Sequence, residues 1–279
     1  MIRPPDTPAA LTAIDGIAAI REGTLDVRGW VAALLERAHD NDQRVRAWTQ
    51  PIAERRRRLA GVAEADPALP LRGLPIGVKD VIDVDGWPTE CNSPIEVGRI
   101  APRSAAAVGR LQAAGALVIG KTVTTEYAFT APGPTTNPHD ATRTPGGSSS
   151  GSAAAVADFQ VPVALATQTG GSTIRPAAFC GVVGYKPSFG AVPMQGVALL
   201  APSLDVIGLH ARSVADIRLV ASIMEGSACP AESRQPSRFA ILEMPNGMQF
   251  GAGVGLVVAA AAERLARAGA GVRHIELPR

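Results

Sequence analysis

Apolar residues in the first sixty-odd positions recur at helical spacing. Val27, Trp30, Val31, Leu34 and Leu35 fall on one face, which predicts a helix from Thr24, as its N-cap, to about His39, and a second from about Ile52 to Ala65. Beyond the proline-bounded stretch Pro67 to Pro75 the period changes. Ile76-Gly77-Val78-Lys79 and Val81-Ile82 read as extended, Ser104 as the cap of a helix ending near Gly115, and Ala116-Leu117-Val118-Ile119 as the next strand. The alternation returns with a helix near 152–159, a strand Val163-Ala164-Leu165-Ala166, a helix over about 213–224, a strand Phe239 to Leu242, an alanine-rich helix 252–268 and a strand Val272 to Leu277. This is the pattern of an α/β fold. The expected organisation is a helical N-terminal segment, 1–66, packing on an α/β core, 67–279; no fixed-period repeat is present.

Composition narrows the function classes. With 46% hydrophobic residues in 279, the chain can bury one large core or two modest ones. Its net charge is only +2, and the densest basic run, Arg55 to Arg58 beside Glu54, lacks the interleaved aromatics that base stacking needs. It reads as a solvated helix face, and no nucleic-acid partner is expected. Cys91, Cys180 and Cys229 are odd in number without a C-x-x-C spacing, so neither a disulfide framework nor a zinc site is predicted, which fits a reducing cytoplasm. Met1-Ile2-Arg3-Pro4-Pro5-Asp6 carries prolines and an acid where an export signal needs an apolar stretch, and no window reaches 18 uninterrupted apolar residues. A soluble, cytoplasmic chain without membrane partners is the expectation.

Two short motifs point elsewhere. Gly115 to Thr122 matches G-x-x-x-x-G-K-T, but its four central residues are apolar and themselves form the predicted strand, with Gly115 ending the preceding helix. Gly147-Ser148-Ser149-Ser150-Gly151 matches G-x-S-x-G and nominates Ser149 with His210 or His274, yet the segment before it, Ala141 to Pro145, is no buried strand. A Ser-His-Asp enzyme built on Ser149 is the runner-up chemistry.

The stronger constellation lies between Thr167 and Ser172. Gly170 and Gly171 allow a tight turn with consecutive backbone N–H groups, a nest suited to the oxyanion that forms when a carbonyl is attacked. Ser172 stands where a nucleophile is required. None of the four histidines lies near a glycine-rich turn, so its proton must go to another base. Lys79, closing an apolar strand, is the best candidate, because a desolvated lysine loses its proton near neutral pH. The competing reading is an ordinary salt partner of adjacent Asp80.

Three blocks, Gly77-Val78-Lys79-Asp80, Gly146-Gly147-Ser148-Ser149-Ser150-Gly151-Ser152 and Gly170-Gly171-Ser172-Thr173-Ile174-Arg175-Pro176-Ala177, together resemble the amidase signature family. Their spacing agrees too, with Ser148 lying 69 residues after Lys79 and Ser172 a further 24 on. The likeness runs from about Leu74 to Met224 and includes Ile119 to Thr122 and Phe179-Cys180-Gly181. It implies a mixed central β-sheet covered by helices, no metal or cofactor, and a Ser-Ser-Lys triad. In that triad Lys79 is the base, Ser172 the nucleophile, and Ser148, on a cis peptide after Gly147, the proton shuttle. It further implies an oxyanion hole from Thr169, Gly170 and Gly171 with the Ser172 N–H, a small-molecule amide as substrate, and homodimers as a common assembly.

Gln168 stands where many members carry aspartate, and Arg175 follows Ser172 by three residues instead of two. The run Thr167 to Ala178 is most similar to malonamidases, which implies that Thr167 lines the pocket and Arg175 grips a substrate carboxylate as in malonamate; the bland alternative is that Arg175 braces the loop. Lys186 and Cys180 read as structural. Family members usually continue well past the point matched by Glu276-Leu277-Pro278-Arg279, so the fold is expected to lack its C-terminal part. Two alternatives stay open: a glutamine-amidase subunit of a tRNA-dependent amidotransferase, and a non-catalytic family member.

Overall fold

The computed structural model describes residues 2–61, 66–227, 238–243 and 252–276. By their contacts, Met1–Pro230 form one compact unit and Ala231–Arg279 another. The division therefore falls well after the 66/67 boundary expected from the sequence, and the N-terminal helices share the core of the first unit.

Among the described residues, that core is built on a five-stranded sheet in the order β2-β1-β3-β5-β4. Its strands are β1 (Pro75–Lys79), β2 (Leu117–Thr122), β3 (Val163–Gln168), β4 (Val183–Tyr185) and β5 (Val206–Ala211). β1, β2 and β3 run parallel, while β5 is antiparallel to both β3 and β4. The sheet is mixed, as the family resemblance implies. The extended reading of Val81-Ile82 does not hold, since β1 stops at Lys79 and Ile82 makes only an isolated bridge to Val197.

Helices α1 (Ala13–Arg21), α2 (Val27–Val45), α3 (Ile52–Leu59), α4 (Ala106–Ala113), α5 (Ser150–Ala157), α6 (Ile174–Cys180) and α7 (Val214–Glu225) surround it. Asp26, not Thr24, caps α2, its carboxylate accepting from Gly29 N at 2.6 Å, and the helix runs on to Val45 before Arg46 turns left-handed. Ser104 likewise does not cap α4: its hydroxyl donates to Gln112 Oε1 and accepts from Asp85 N. The second predicted helix stops at Leu59, and residues 62–65 lie outside the described segments.

The N-terminal segment covers the open edge of β2. Thr49 N donates to Lys121 O, Val123 N to Ala47 O, and Arg55 Nε to Ile119 O, while Gln50 Oε1 accepts from Lys121 N. Edge groups that would otherwise invite intermolecular pairing are thereby satisfied. Arg55 is 1% exposed and stacks 3.7 Å from the Trp48 ring centroid, so the basic run is only partly a solvated face.

In the second unit, β6 (Arg238–Glu243) and β7 (Gly271–Glu276) pair in parallel around α8 (Ala252–Arg267), a β-α-β unit. The predicted strand end at Leu277, and Cys229, lie outside the described residues. No described helix is long and apolar enough to cross a membrane.

Candidate active site

Strand alternation decides what the Lys-Asp pair does. Neighbours along an extended chain point to opposite faces, and residues paired across a ladder share one. In register with Thr122, Lys79 faces one side of the sheet, whereas Asp80 shares the side of Val78 and its partner Lys121. Asp80 accordingly pairs with Lys121, at 2.9 Å, where Lys121 also donates to Thr89 Oγ1 and Pro88 O. The lysine of the P-loop look-alike is thus a buried ion-pair member on a strand. Lys79 is left without its sequence neighbour as counter-ion.

Lys79 is fully buried, and its Nζ lies 2.7 Å from both Ser148 Oγ and Thr167 Oγ1. Desolvation pushes its pKa down to about 7, partly opposed by the negative charge of Asp205. Lys79 and Thr167 sit at the carboxyl ends of adjacent parallel strands, β1 and β3, the place where open parallel sheets carry their ligand sites.

Ser148 precedes α5 and follows a cis Gly147–Ser148 peptide. Its loop is fixed on several sides. Thr125 N donates to Ser148 O at 3.1 Å, and Ser149 Oγ donates to Thr167 O while accepting from Thr167 N. Ser149 is therefore a buried bracket between α5 and β3. One turn on, a Cβ on Gly151 would run into Ala47 O and Val123 N, so only glycine lets α5 approach that closely.

The glycine turn comes alongside through the Ser149 N to Ser172 O hydrogen bond of 3.3 Å. Gly170 is exposed, while Gly171 and Ser172 are half-buried. Among the described residues the Ser172 hydroxyl has no hydrogen-bond partner. Gln168 Oε1 accepts from Thr173 N and Ile174 N, supplying the first turn of α6 with the acceptor that an aspartate would otherwise offer. Thr169 Oγ1 donates to Asp205 Oδ1 at 2.5 Å. Arg175 places Nε and Nη2 3.1 and 2.8 Å from Gly147 O.

Lys79, Ser148 and Thr167 thus meet directly, and Ser172 joins them through its backbone. Two contacts escaped the sequence reading: that of Thr167, nominated for the pocket but bonded to Lys79, and that of Asp205 with Thr169. His210, a candidate for the runner-up chemistry, is buried with Nε2 on Thr173 O; burial drops its pKa to about 4, and it touches no serine hydroxyl.

The family model described as Amidase matches residues 30–279. The chain belongs to the amidase family. It is 40% identical over 239 residues to the glutamyl-tRNA(Gln) amidotransferase A subunit of Deinococcus radiodurans, a match that covers 78% of this chain and 49% of that protein. Among solved amidase-family structures, peptide amidase from Stenotrophomonas maltophilia superposes with TM-score 0.83 at 32% identity, covering 98% of this chain and 63% of the other. The glutamyl-tRNA(Gln) amidotransferase A subunit of Thermotoga maritima gives TM-score 0.82 at 29% identity, covering all of this chain and 63% of the other. The chain spans about half the length of the first of these relatives. The α/β amidase fold is shared with them.

Proposed function

We propose that this chain carries the site of an amide C–N hydrolase with Ser172 as nucleophile, Ser148 as proton shuttle and Lys79 as base. The observation that supports it most is the buried Lys79 amine, its pKa about 7, 2.7 Å from Ser148 Oγ on a loop bonded to the Ser172 backbone. Thr167 Oγ1 accepts one Lys79 N–H, so in the neutral amine the lone pair can turn to the Ser148 proton.

In this mechanism Ser172 Oγ attacks the amide carbon. Its proton passes to Ser148 as the Ser148 proton moves to Lys79, and the carbonyl oxygen takes the negative charge against the N–H groups of Thr169, Gly170, Gly171 and Ser172. The C–N bond then breaks as the Lys79 proton returns through Ser148 to the leaving nitrogen. Water hydrolyses the acyl-serine by the same relay, releasing carboxylate and free Ser172.

For the substrate, we propose a small amide bearing a carboxylate, as in malonamate. Arg175 is exposed and uses only Nε and one side of Nη2 on Gly147 O, which leaves further N–H donors for a carboxylate beside the nucleophile. A second reading, a glutamine-hydrolysing component of an amidotransferase, is favoured by the names of the matched amidotransferase proteins. Ammonia release from malonamate and from glutamine, compared in wild type and Ser172→Ala, tests both. Release from neither, with no Ser172 adduct under a fluorophosphonate, would sink the proposal. A homodimer is the assembly expected, and sedimentation velocity checks it.

A further inference from the structure

The register Gln168↔Val206 ends the β3–β5 ladder and brings Asp205 against Thr169, just where the glycine turn leaves the sheet. Asp205 is 5% exposed, and three donors converge on its two oxygens: Thr169 Oγ1 at 2.5 Å on Oδ1, with Leu200 N and Ala201 N at 2.7 and 2.8 Å on Oδ2. A group that accepts at every oxygen acts as a carboxylate. It ties the first residue of the turn to the 200–205 loop.

We propose that Asp205 is a positioning residue for the hydrolysis, holding the oxyanion turn through Thr169 and supplying the countercharge for Lys79 when the proton from Ser172 arrives there. This rests on the amidase chemistry proposed above. The other groups acting on Lys79 cannot fill that place. Burial pushes the Cys91 thiol up to about 11 and His210 down to about 4, so both are neutral at pH 7. Asp80 faces the other side of the sheet with its charge matched by Lys121. Asp205 is left as the negative group on this side: it is bonded to Thr169, two residues along the chain from the Thr167 whose hydroxyl takes the Lys79 N–H, and its charge works against the desolvation of the lysine. A lysine that becomes ammonium in the transition state gains from such a charge at that moment.

The test is the pH dependence of fluorophosphonate labelling at Ser172, read by mass spectrometry on wild type, Asp205→Asn and Thr169→Val. In that reaction Ser172 Oγ bonds to phosphorus, fluoride leaves, and the serine proton goes through Ser148 to Lys79. Wild type should label with a midpoint near pH 7. Asp205→Asn should move the midpoint down by about one pH unit and lower the plateau rate at least about tenfold. Thr169→Val, which keeps the charge and the loop bonds, should lower the rate several-fold with the midpoint in place. An Asp205→Asn midpoint equal to wild type, at whatever rate, would overturn the countercharge, and wild-type labelling of Thr169→Val would overturn the positioning through that hydroxyl. Should Asp205→Asn not fold, Asp205→Glu takes its place: the retained charge must keep the midpoint, and a midpoint lowered as for lost charge refutes the assignment. Wild type that stays unlabelled removes the underlying amidase reading instead.

Discussion

Thr167 Oγ1 accepts a hydrogen bond from Lys79 Nζ at 2.7 Å, joining the carboxyl ends of two neighbouring parallel strands. The lysine is thereby held by one partner while its nitrogen also lies 2.7 Å from Ser148 Oγ. Replacing Thr167 with valine keeps the shape and deletes the acceptor. The expected outcome is a fall in kcat of about ten- to a hundredfold with KM little changed, measured on any amide the enzyme turns over.

The proposed base must be neutral to accept a proton, and burial lowers the pKa of Lys79 to about 7. The rate should therefore climb with pH through about 7 and fall tenfold per unit on the acid side. A kcat/KM profile checks the sign. An activity that drops as the pH rises through 7 would exclude Lys79 as the base.

The same burial makes Lys79 a stability liability. Its folded pKa lies below the unfolded value of 10.5, so the cost of burying the ammonium is fully present below about pH 7 and disappears as the pH rises toward 10.5. Lys79→Met should abolish turnover yet gain stability relative to wild type at pH 6, with the gain shrinking by pH 10. Urea melts at the two pH values measure it.

Arg175 separates two uses of one guanidinium. Because Nε and Nη2 hold Gly147 O, Arg175→Ala should slow neutral amides as well as acidic ones, by about tenfold, with a further KM rise confined to malonamate. An effect restricted to the acidic substrate would assign Arg175 to the carboxylate alone.

Lys121→Met would strand Asp80 in the interior. Removing one partner of a buried pair costs about 3–5 kcal/mol, and Lys121→Met combined with Asp80→Asn should recover much of it. Thermal denaturation of the single and double variants distinguishes these outcomes.

The parts of the candidate site written in local runs can be picked out in the sequence. Lys79, Ser148 and Ser172 each stand in a glycine-marked block, and the alternation of periods gave β1, β2, β3 and α7 within a few residues. What escaped depends on the third dimension. That Asp80 finds its partner in Lys121 follows from the pairing of β1 with β2, which no window contains. Asp205 meets Thr169 from 36 residues away through the antiparallel β5. The run Val206-Ile207-Gly208-Leu209 did carry a strand signal, weakened by its glycine, and β4 and α6 are too short for periodicity to register. Thr167 reads as a pocket residue until the hydrogen bond to Lys79 is in view.

The two ends of the proposed proton path rest on unlike supports. Lys79 is rooted at the end of an interior strand, flanked by β2 and β3, whereas Ser172 follows a glycine turn whose first glycine, Gly170, is exposed. Relocating the base would mean rebuilding three strands at once, but the surroundings of the turn can be altered one side chain at a time. A laboratory library aimed at altered selectivity of the proposed hydrolase should leave the strand ends, the glycine turn and Ser172 untouched and diversify the side chains that border them, such as exposed Ile174.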